Sequence, residues 1–521
     1  MTRLTRRAVL HAGVIAGGAS LIGSAALRAA TGGRSLFSLG VASGGPSPDG
    51  MVLWTRLAPT PLDPEGGMPP VATEVRWEIS ATERFAPIRS GFARAEPDWG
   101  HSVHVDVTGL TPDRPYWYRF IAAGQVSPIG RTRTAPAAGA MVDRLRIAFG
   151  SCQNWEAGLY GAYPHMIADD PDLILFLGDY IYEGDPGEGA MRRHANPRPT
   201  DIQGYRIRYA NYKSDPLLQA AHRAAPWVTT WDDHEVANNY ANDLDQFNGD
   251  RAAFLKLRAA AYQAYYEHMP IRAAQRPDGS ALRLYRTIDW GRLAQFQVID
   301  DRQYRDPPPC QAPGTIARHL ESNSLEPDCP ERDDPRRSIL GVDQEAWLMD
   351  RLDRSSARWN MLSQQTLMMP LADVDPAHPD GPADLYGTDT WAGYPACRDR
   401  IVRRWRDAKT PNPVILSGDI HSFVAGDHAD PDDPNRPIAS EFVGGAITSN
   451  NHHPHLPEVA KRNPGFRFTD IVHRGYGLID VTPDRCAVAF RGLADVRDAR
   501  STISDVARFT VENGSAGVQS G

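Results

Sequence analysis

Basic residues are not in excess in this chain of 521 residues: 56 Lys and Arg face 64 Asp and Glu, which leaves a formal net charge of -8. Nucleic-acid binding depends on a positively charged surface, so the composition gives no support to a nucleic-acid partner. Long apolar runs are also missing after Leu27, and no integral membrane segment is expected beyond that point. No cysteine precedes Cys152, which excludes a lipid-modified cysteine at a processed N-terminus.

The first 34 residues are predicted to be an export signal rather than part of the fold. Arg6 and Arg7 form a twin-arginine pattern, and an apolar run of small residues follows from about Ala12 to Leu27. Cleavage after Ala26 would suit a signal peptidase. A membrane anchor is the alternative, but the glycines of the run and its few large apolar side chains predict weak insertion. The expected location is therefore periplasmic or secreted, with the twin-arginine machinery as a partner.

Residues 35–136 are predicted to form an N-terminal β-sandwich domain. Alternating or aromatic stretches suggest strands at Val75–Ile79, His101–Val107 and Tyr116–Phe120, and turn residues separate them. Short strands at this spacing are typical of a small sandwich. It carries no candidate catalytic residue, so we expect an accessory domain.

Residues 140–521 are predicted to form a second, α/β domain, because the chain is too long for one ordinary core. Near-continuous apolar runs indicate strands buried on both faces, at Leu145–Phe149, Leu173–Leu177, Trp227–Thr230 and Val414–Leu416. Helical segments such as Arg251–His268 alternate with them, which favours a layered α/β arrangement.

Polar motifs follow four of these buried strands directly. They are Ser151-Cys152-Gln153, Gly178-Asp179-Tyr180-Ile181-Tyr182, Trp231-Asp232-Asp233-His234-Glu235 and Ser417-Gly418-Asp419-Ile420-His421. Ligands bind at the carboxyl ends of strands in α/β sheets, so the four motifs are expected to meet. One Gly-Asp after a strand is usually a turn, but four coinciding motifs indicate a site.

The residue types of these motifs suit metal-assisted hydrolysis of phosphate esters. Two metal ions about 3.5–4 Å apart can activate a water and neutralise the charge that develops on phosphorus. Asp179 is the natural bridging carboxylate. Tyrosinate and thiolate with Asp and His favour Fe³⁺, and oxygen ligands alone favour Ca²⁺ or Mg²⁺. The ligand types are also compatible with zinc or another divalent metal.

At these motifs the chain resembles the alkaline phosphatase D family of the metallophosphoesterase superfamily. The resemblance spans nearly the whole chain after the signal. Further matching stretches are Gly40–Gly44, Leu53–Leu57, Asp301–Arg305, Trp391–Tyr394 and Glu441–Gly444. It implies an α/β catalytic fold, the four-layer metallophosphoesterase-type α-β-β-α sandwich, and an N-terminal all-β domain of the fibronectin or immunoglobulin type.

The resemblance also implies a metal centre with one ferric iron and calcium. The residues that would hold iron are Cys152, Asp179, Tyr182 and His421. Calcium would share Asp179 and bind Asp419 and a residue between 233 and 239. Asp233 stands where the wider superfamily has Asn, and Asn238 and Asn239 compete with it. Two further residues would serve catalysis: His234 beside the leaving group, and Arg302 as a bidentate phosphate clamp.

The chain departs from the family pattern at two stretches. It has Gly44-Gly45-Pro46 where Gly-Asp-Pro is frequent, and Gly444-Gly445-Ala446 where Gly-Thr-Ser is more usual. Gly445 and Ala446 lack hydroxyls that could contact the substrate, which affects the expected substrate preference more than metal binding.

Three functions remain open at this level. The leading one is a monomeric alkaline phosphatase that hydrolyses small phosphate monoesters by attack of a metal-bound hydroxide, without a covalent phosphoenzyme. The second is a phosphodiesterase or phospholipase D-type hydrolase. The third is a non-catalytic metal-containing cell-surface binding protein, against which His234 and Arg302 argue, because a closed structural metal site has no need of substrate-binding groups.

Two loops carry separate expectations. Cys310 and Cys329 flank a Pro- and Asp-rich segment, and in an exported protein they are expected to form a disulfide. The segment from Asn450 to His455 contains three histidines. Their spacing is irregular and no strand is predicted before them, which favours a surface loop over a metal site.

Overall fold

The computed structural model describes residues 32–245, 249–310, 325–374 and 381–521. The predicted twin-arginine motif and its apolar run lie outside these residues. Across the described ranges, every helix is too short or too polar to cross a membrane.

The strands and helices are numbered in chain order. The strands are β1 Val41–Ser47, β2 Gly50–Arg56, β3 Thr73–Ser80, β4 Pro87–Ala95, β5 Ser102–Val107, β6 Pro115–Ala122, β7 Gln125–Val126, β8 Gly130–Arg133, β9 Leu145–Gly150, β10 Leu173–Leu177, β11 Trp227–Thr230, β12 Arg286–Trp290, β13 Ala294–Val298, β14 Leu325–Pro327, β15 Trp359–Ser363, β16 Asp373–Val374, β17 Ala383–Gly387, β18 Pro413–Ser417, β19 Phe423–Asp430, β20 Asp433–Gly444, β21 Phe466–Asp470, β22 Gly475–Val481, β23 Arg485–Leu493, β24 Ile503–Glu512 and β25 Ser515–Ser520. The helices are α1 Ala162–Ala168, α2 Ile202–Lys213, α3 Pro216–His222, α4 Arg251–His268, α5 Gly341–Arg354, α6 Pro395–Asp407 and α7 Leu456–Ala460.

Two mixed sheets form the body of the catalytic part. The first has ten strands in the order β25-β24-β23-β22-β9-β10-β11-β1-β2-β5, and the second has seven in the order β12-β13-β15-β18-β20-β19-β21. In the first sheet β9, β10 and β11 run parallel, and in the second β13, β15, β18 and β20 do. Parallel neighbours place their carboxyl ends at one edge, and the loops of the site leave from those edges.

Apolar side chains from both sheets share one core. Leu145, Leu175 and Val228 of the first sheet belong to the same buried cluster as Phe296 and Val414 of the second. A second cluster joins α1 to α4 to the outer face of the ten-stranded sheet, and a third joins α5 and α6 to the other sheet. Both sheets are thus buried on two faces, which is why β9, β10, β11 and β18 are almost wholly apolar.

The N-terminal strands do not form a separate body. β3, β4, β6, β7 and β8 make their own sheet, which packs on β1, β2 and β5 through a common apolar cluster. β1, however, pairs in parallel with β11, with Gly44 opposite Trp227. A Cβ at Gly44 would lie 2.2 Å from the Pro270 carbonyl oxygen, so glycine is required for this approach. The ten-stranded sheet therefore continues across the predicted domain boundary at 136–140.

A small sheet lies beside the carboxyl end of the seven-stranded sheet. It has the order β14-β17-β16. Cys310 and Cys329 form a disulfide, as predicted, and Cys329 follows β14 by two residues. The bond therefore ties β14 to the segment that follows the Asp301–Arg305 motif.

One lysine is buried in the helical core. The Lys213 ammonium, at the end of α2, lies 3.4 Å from the Tyr180 hydroxyl and 3.4 Å from His222 Nε2, and 4.3 Å from the centre of the Trp54 ring. Among the described residues no carboxylate pairs with it. Burial lowers the pKa of Lys213 well below its usual 10.5.

Replacing Lys213 with Met is expected to raise the free energy of unfolding at pH 7 by a few kcal/mol. Lys213 binds a proton more readily in the unfolded chain than in the folded one. Its destabilising effect is therefore largest at low pH and disappears as the pH rises to 10.5. The stability gain of Lys213→Met, measured by urea unfolding, is expected to shrink between pH 7 and 10.5. A gain that is independent of pH would contradict this reason, and the exposed Lys256→Met serves as the control.

Candidate active site

Four loops meet where β9, β10, β11 and β18 end, and hydrogen bonds join the first three. The Cys152 amide donates to the Gly178 carbonyl over 3.1 Å, and the Gln153 amide donates to that of Asp179 over 3.1 Å. The buried Glu235 carboxylate accepts from the amides of Asp179 at 3.2 Å and Asp232 at 2.8 Å. The strand-end motifs are thus held together, as the sequence predicts.

The backbone at the site is unusual. Cys152, Asp179, Asp419 and His421 all have positive φ, at 57°, 56°, 65° and 51°. A left-handed conformation costs a non-glycine residue of the order of 1–3 kcal/mol, and such residues gather at functional sites. The strain turns each side chain inward from the end of its strand.

The first group of candidate metal ligands is complete. Ligand atoms of Cys152, Asp179 and His421 all lie within 4.8 Å of one another. The Tyr182 hydroxyl donates to Asp179 Oδ2 over 2.7 Å and is 3.0 Å from His421 Nε2. His421 Nδ1 donates to the Asn450 carbonyl over 2.6 Å, which leaves Nε2 facing the group. The structure brings together all four residues that the resemblance assigns to iron.

Asp179 also belongs to a second group. Ligand atoms of Asp179, Asp233 and His234 all lie within 4.8 Å of one another. Oδ1 of Asp179 is buried, and no described residue donates a hydrogen bond to it. Such an atom is costly unless a cation satisfies it. A carboxylate with an unsatisfied oxygen between two ligand groups fits a bridging role.

Asp233 is itself fixed by backbone donors. Its Oδ1 accepts from the His234 amide over 2.8 Å and its Oδ2 from the Asn239 amide over 2.6 Å. Burial opposes its ionisation, but Arg302 and His234 outweigh burial and lower its pKa below the usual value. The Asn238 amide instead donates to Glu183, 2.8 Å away. The backbone of Asn239 therefore meets the candidate ligand Asp233, whereas that of Asn238 faces away from it.

The electrostatics of the site favour a cation. Burial, reinforced by Asp179, raises the pKa values of the Cys152 thiol and the Tyr182 phenol well above their usual range. Burial also raises the pKa of Asp419. A metal ion would reverse this, because it binds thiolate, phenolate and carboxylate directly. The donor set of sulfur, phenol oxygen, carboxylate oxygen and imidazole nitrogen fits the predicted iron and calcium centre.

Arg302 is enclosed by carboxylates of the site. Its guanidinium is fully buried, pairs with Asp232 and binds both oxygens of Asp389 at 2.9 and 2.8 Å. Nη2 lies 3.9 Å from both Asp233 and Asp419. Nη2 has no hydrogen-bond partner among the described residues, so the clamp role stays a prediction. Arg302 supplies positive charge beneath the carboxylates of the site because these acids surround it.

His234 is placed at the open side of the site. Nδ1 donates to Glu183 Oε2 over 2.7 Å, and the ring centre lies 4.1 Å from that of Tyr182. Burial opposes charge on the imidazole, but Asp233 and Glu183 raise its pKa well above the usual value. About a fifth of the side chain is exposed (20%), and one ring nitrogen lies within 4.8 Å of ligand atoms of Asp179 and Asp233.

Two features of the site were missed from the sequence. Asp389 lies in a loop after β17 with no strand-end signal, and only the Arg302 contact shows its place. The three-histidine segment is a surface loop, as predicted, with His452 and His455 exposed, but its place beside the site was not expected: the His452 ring packs 5.1 Å from His421. The apolar end of β20 was the signal that could have placed this segment at the site.

A cavity of about 300 Å³ opens beside these residues. Its polar lining residues are Asn239, Asp373, Asp389, Thr390, Asp419, His452, His453 and His455. The rest of its wall is apolar and comes mainly from the small sheet, α7 and the loops after β15 and β18. The site is thus continuous with a space that can hold part of a ligand.

Comparisons with known proteins agree with this geometry. The family model described as PhoD-like phosphatase matches residues 147–490, and that of the PhoD-like phosphatase N-terminal domain matches residues 23–136. Alkaline phosphatase D of Bacillus subtilis (strain 168) is 41% identical over 495 residues, which cover 93% of this chain and 82% of the relative. A solved structure of PhoD is 40% identical, covers 94% of this chain and 92% of its own, and superposes with a TM-score of 0.86. The chain therefore belongs to the PhoD-like phosphatase family and is a phosphoric ester hydrolase.

Proposed function

We propose that this phosphatase is a metal-dependent enzyme that hydrolyses phosphate monoesters at alkaline pH. The observation that carries the proposal is the buried, unsatisfied oxygen of Asp179, which lies between two groups of ligand-type side chains. Two metals that share a carboxylate suit phosphoryl transfer. A phosphodiesterase or phospholipase D-type activity on the same site is the second candidate.

The residues divide between two proposed ions. Cys152, Asp179, Tyr182 and His421 would hold Fe³⁺, since sulfur and phenol oxygen suit a highly charged redox metal. Asp179, Asp233 and Asp419 would hold Ca²⁺, which prefers oxygen. When bound, the ions would activate a water and neutralise charge on the phosphoryl group. Zinc or another divalent ion in the second position stays part of the proposal.

The chain's own residues would orient the ester and manage a proton. Glu183 fixes the His234 ring through Nδ1, so Nε2–H can donate to an oxygen of the phosphoryl or leaving group. Arg302 would keep Asp233 ionised from below, and Glu235 would hold the two turns that carry Asp179 and Asp232. No side-chain nucleophile is needed, and we propose that no covalent phosphoenzyme forms.

Location, assembly and domain type are also proposals. The twin-arginine motif at Arg6 and Arg7 supports export to the periplasm or beyond by the twin-arginine pathway. A monomer is proposed. Helical clusters on the outer faces of both main sheets support the four-layer metallophosphoesterase sandwich. The shared core of β1 to β6 supports a fibronectin- or immunoglobulin-like N-terminal domain.

The test compares kcat/KM for p-nitrophenyl phosphate and bis-p-nitrophenyl phosphate, at alkaline pH with iron and calcium loaded. The leaving group is the same in both, so the ratio reports the preference for monoester over diester. The monoester is expected to dominate and Cys152→Ala to be inactive. A dominant diester would make the chain a phosphodiesterase. No turnover of either would overturn the proposed substrate class and leave only the membership in the phosphatase family.

A further inference from the structure

The cavity beside the site has a wall that the proposed metal centre does not use. Six apolar side chains of four different segments line it: Leu325, Leu367, Leu371, Ile420, Leu456 and Val459. Apolar side chains that face an open cavity lack the stabilisation that full burial would give them. Concave apolar sites with a few polar groups usually bind ligands. This cavity is therefore suited to an apolar group of a small molecule.

The polar side of the cavity fixes which part of a substrate enters it. Of the residues proposed to bind metal, Asp419 lines the cavity, while Cys152, Asp179 and Tyr182 do not. A phosphoryl group between the two metals would thus point one substituent past Asp419. In a monoester that substituent is the alcohol part.

The apolar wall offers no hydrogen-bonding side chain to a hydroxylated or anionic alcohol. No lysine or arginine is among the described residues that line the cavity, and its polar lining is confined to four acidic or amide residues, Thr390 and three histidines. Asp389 is engaged by Arg302 and Arg305, which leaves it few free acceptor positions. A sugar or glycerol hydroxyl would lose water there without full replacement of its hydrogen bonds.

We propose that this cavity binds the alcohol part of the ester and selects an alkyl or aryl alcohol over a polyhydroxylated one. The inference rests on the proposed function, because that places the phosphoryl group beside Asp419. The small sheet takes part directly, because Leu325 of β14 lines the cavity. Leu325 precedes the disulfide-bonded Cys329 by four residues.

A chain-length series tests the inference. Ethyl, butyl and hexyl phosphate are compared with glycerol 3-phosphate, since all release alcohols of similar leaving ability. kcat/KM is expected to rise roughly fourfold for each methylene buried in the cavity, until the cavity is full. Glycerol 3-phosphate is expected to fall below butyl phosphate.

Leu371→Asn tests the wall itself. Leu371 is half-buried, so the change does not open the main core, and Leu371→Ala is the second variant if the first does not fold. The ratio of kcat/KM for hexyl to ethyl phosphate is expected to fall at least roughly fourfold, the value of one buried methylene. The exposed Leu62→Asn is the matched control and is expected to keep the wild-type ratio.

The outcomes separate the two proposals. Turnover of every ester without dependence on chain length, or an unchanged ratio in both Leu371 variants, overturns the cavity assignment and leaves the phosphatase standing. No turnover of any ester by metal-loaded protein overturns the proposed function, and the cavity assignment with it.

Discussion

Replacing Asp179 with Asn is expected to lower kcat/KM for phosphate esters by at least roughly 10³-fold. The carboxylate is shared by both groups of candidate ligands, and its Oδ1 is buried without a hydrogen-bond partner among the described residues. An amide keeps the shape of the side chain but removes the charge that would bind two cations. Asn also tolerates the positive φ of 56° at this position, so the turn is expected to keep its conformation.

The measurement pairs kinetics with metal content. Iron and calcium per chain are determined by mass spectrometry alongside kcat/KM, and Asp179→Asn is expected to lose both ions. Asp278→Asn, on the surface, is the control for loss of one charge and is expected to match the wild type. Activity within tenfold of the wild type in a variant that retains both ions would remove the bridging role.

Replacing Arg302 with Met is expected to destabilise the protein by roughly 3–5 kcal/mol. The change leaves the buried carboxylate of Asp232 without its counter-ion, whereas Asp389 keeps Arg305 as a partner. Unfolding in urea, with metals loaded, measures the loss. Adding Asp232→Asn to Arg302→Met is expected to restore part of the stability, because it removes the unpaired charge.

The same variant separates the two roles considered for Arg302. A phosphate clamp would raise KM for the ester and leave the urea midpoint near that of the wild type. An arginine that supports the site from beneath would lower the midpoint and the metal content together. A normal midpoint with a raised KM would therefore return Arg302 to the clamp role that the resemblance implies.

The positions of the strand-end motifs could be predicted from sequence because they depend on local signals. Apolar runs set β9, β10, β11 and β18, and parallel pairing brings the ends of β9, β10 and β11 together. The meeting of Cys152 and Asp179 follows from that rule, whereas His421, which follows β18, reaches them because the two sheets pack on one shared core. The Cys310–Cys329 bond was likewise predicted from the loop that the two residues flank.

What could not be predicted depends on contacts between distant segments. Arg302 resembles a phosphate-binding group in sequence, and only its pairing with Asp389, 87 residues later, shows that it is enclosed. The histidine segment has irregular spacing, so its place beside His421 follows from the course of β20. The buried Lys213 gives no sequence signal, because nothing nearby in the chain marks its environment as apolar.

The parallel pairing of β1 with β11 makes the first domain part of the sheet that carries the active site. β11 leads into Asp232 and Asp233, and without β1 it would become an edge strand of apolar residues with unpaired amides and carbonyls. Bare edges of this kind pair with other chains and promote aggregation or domain swapping. The smallest unit of this enzyme that can stay soluble and active therefore includes both domains, and neither can be exchanged between relatives without the other.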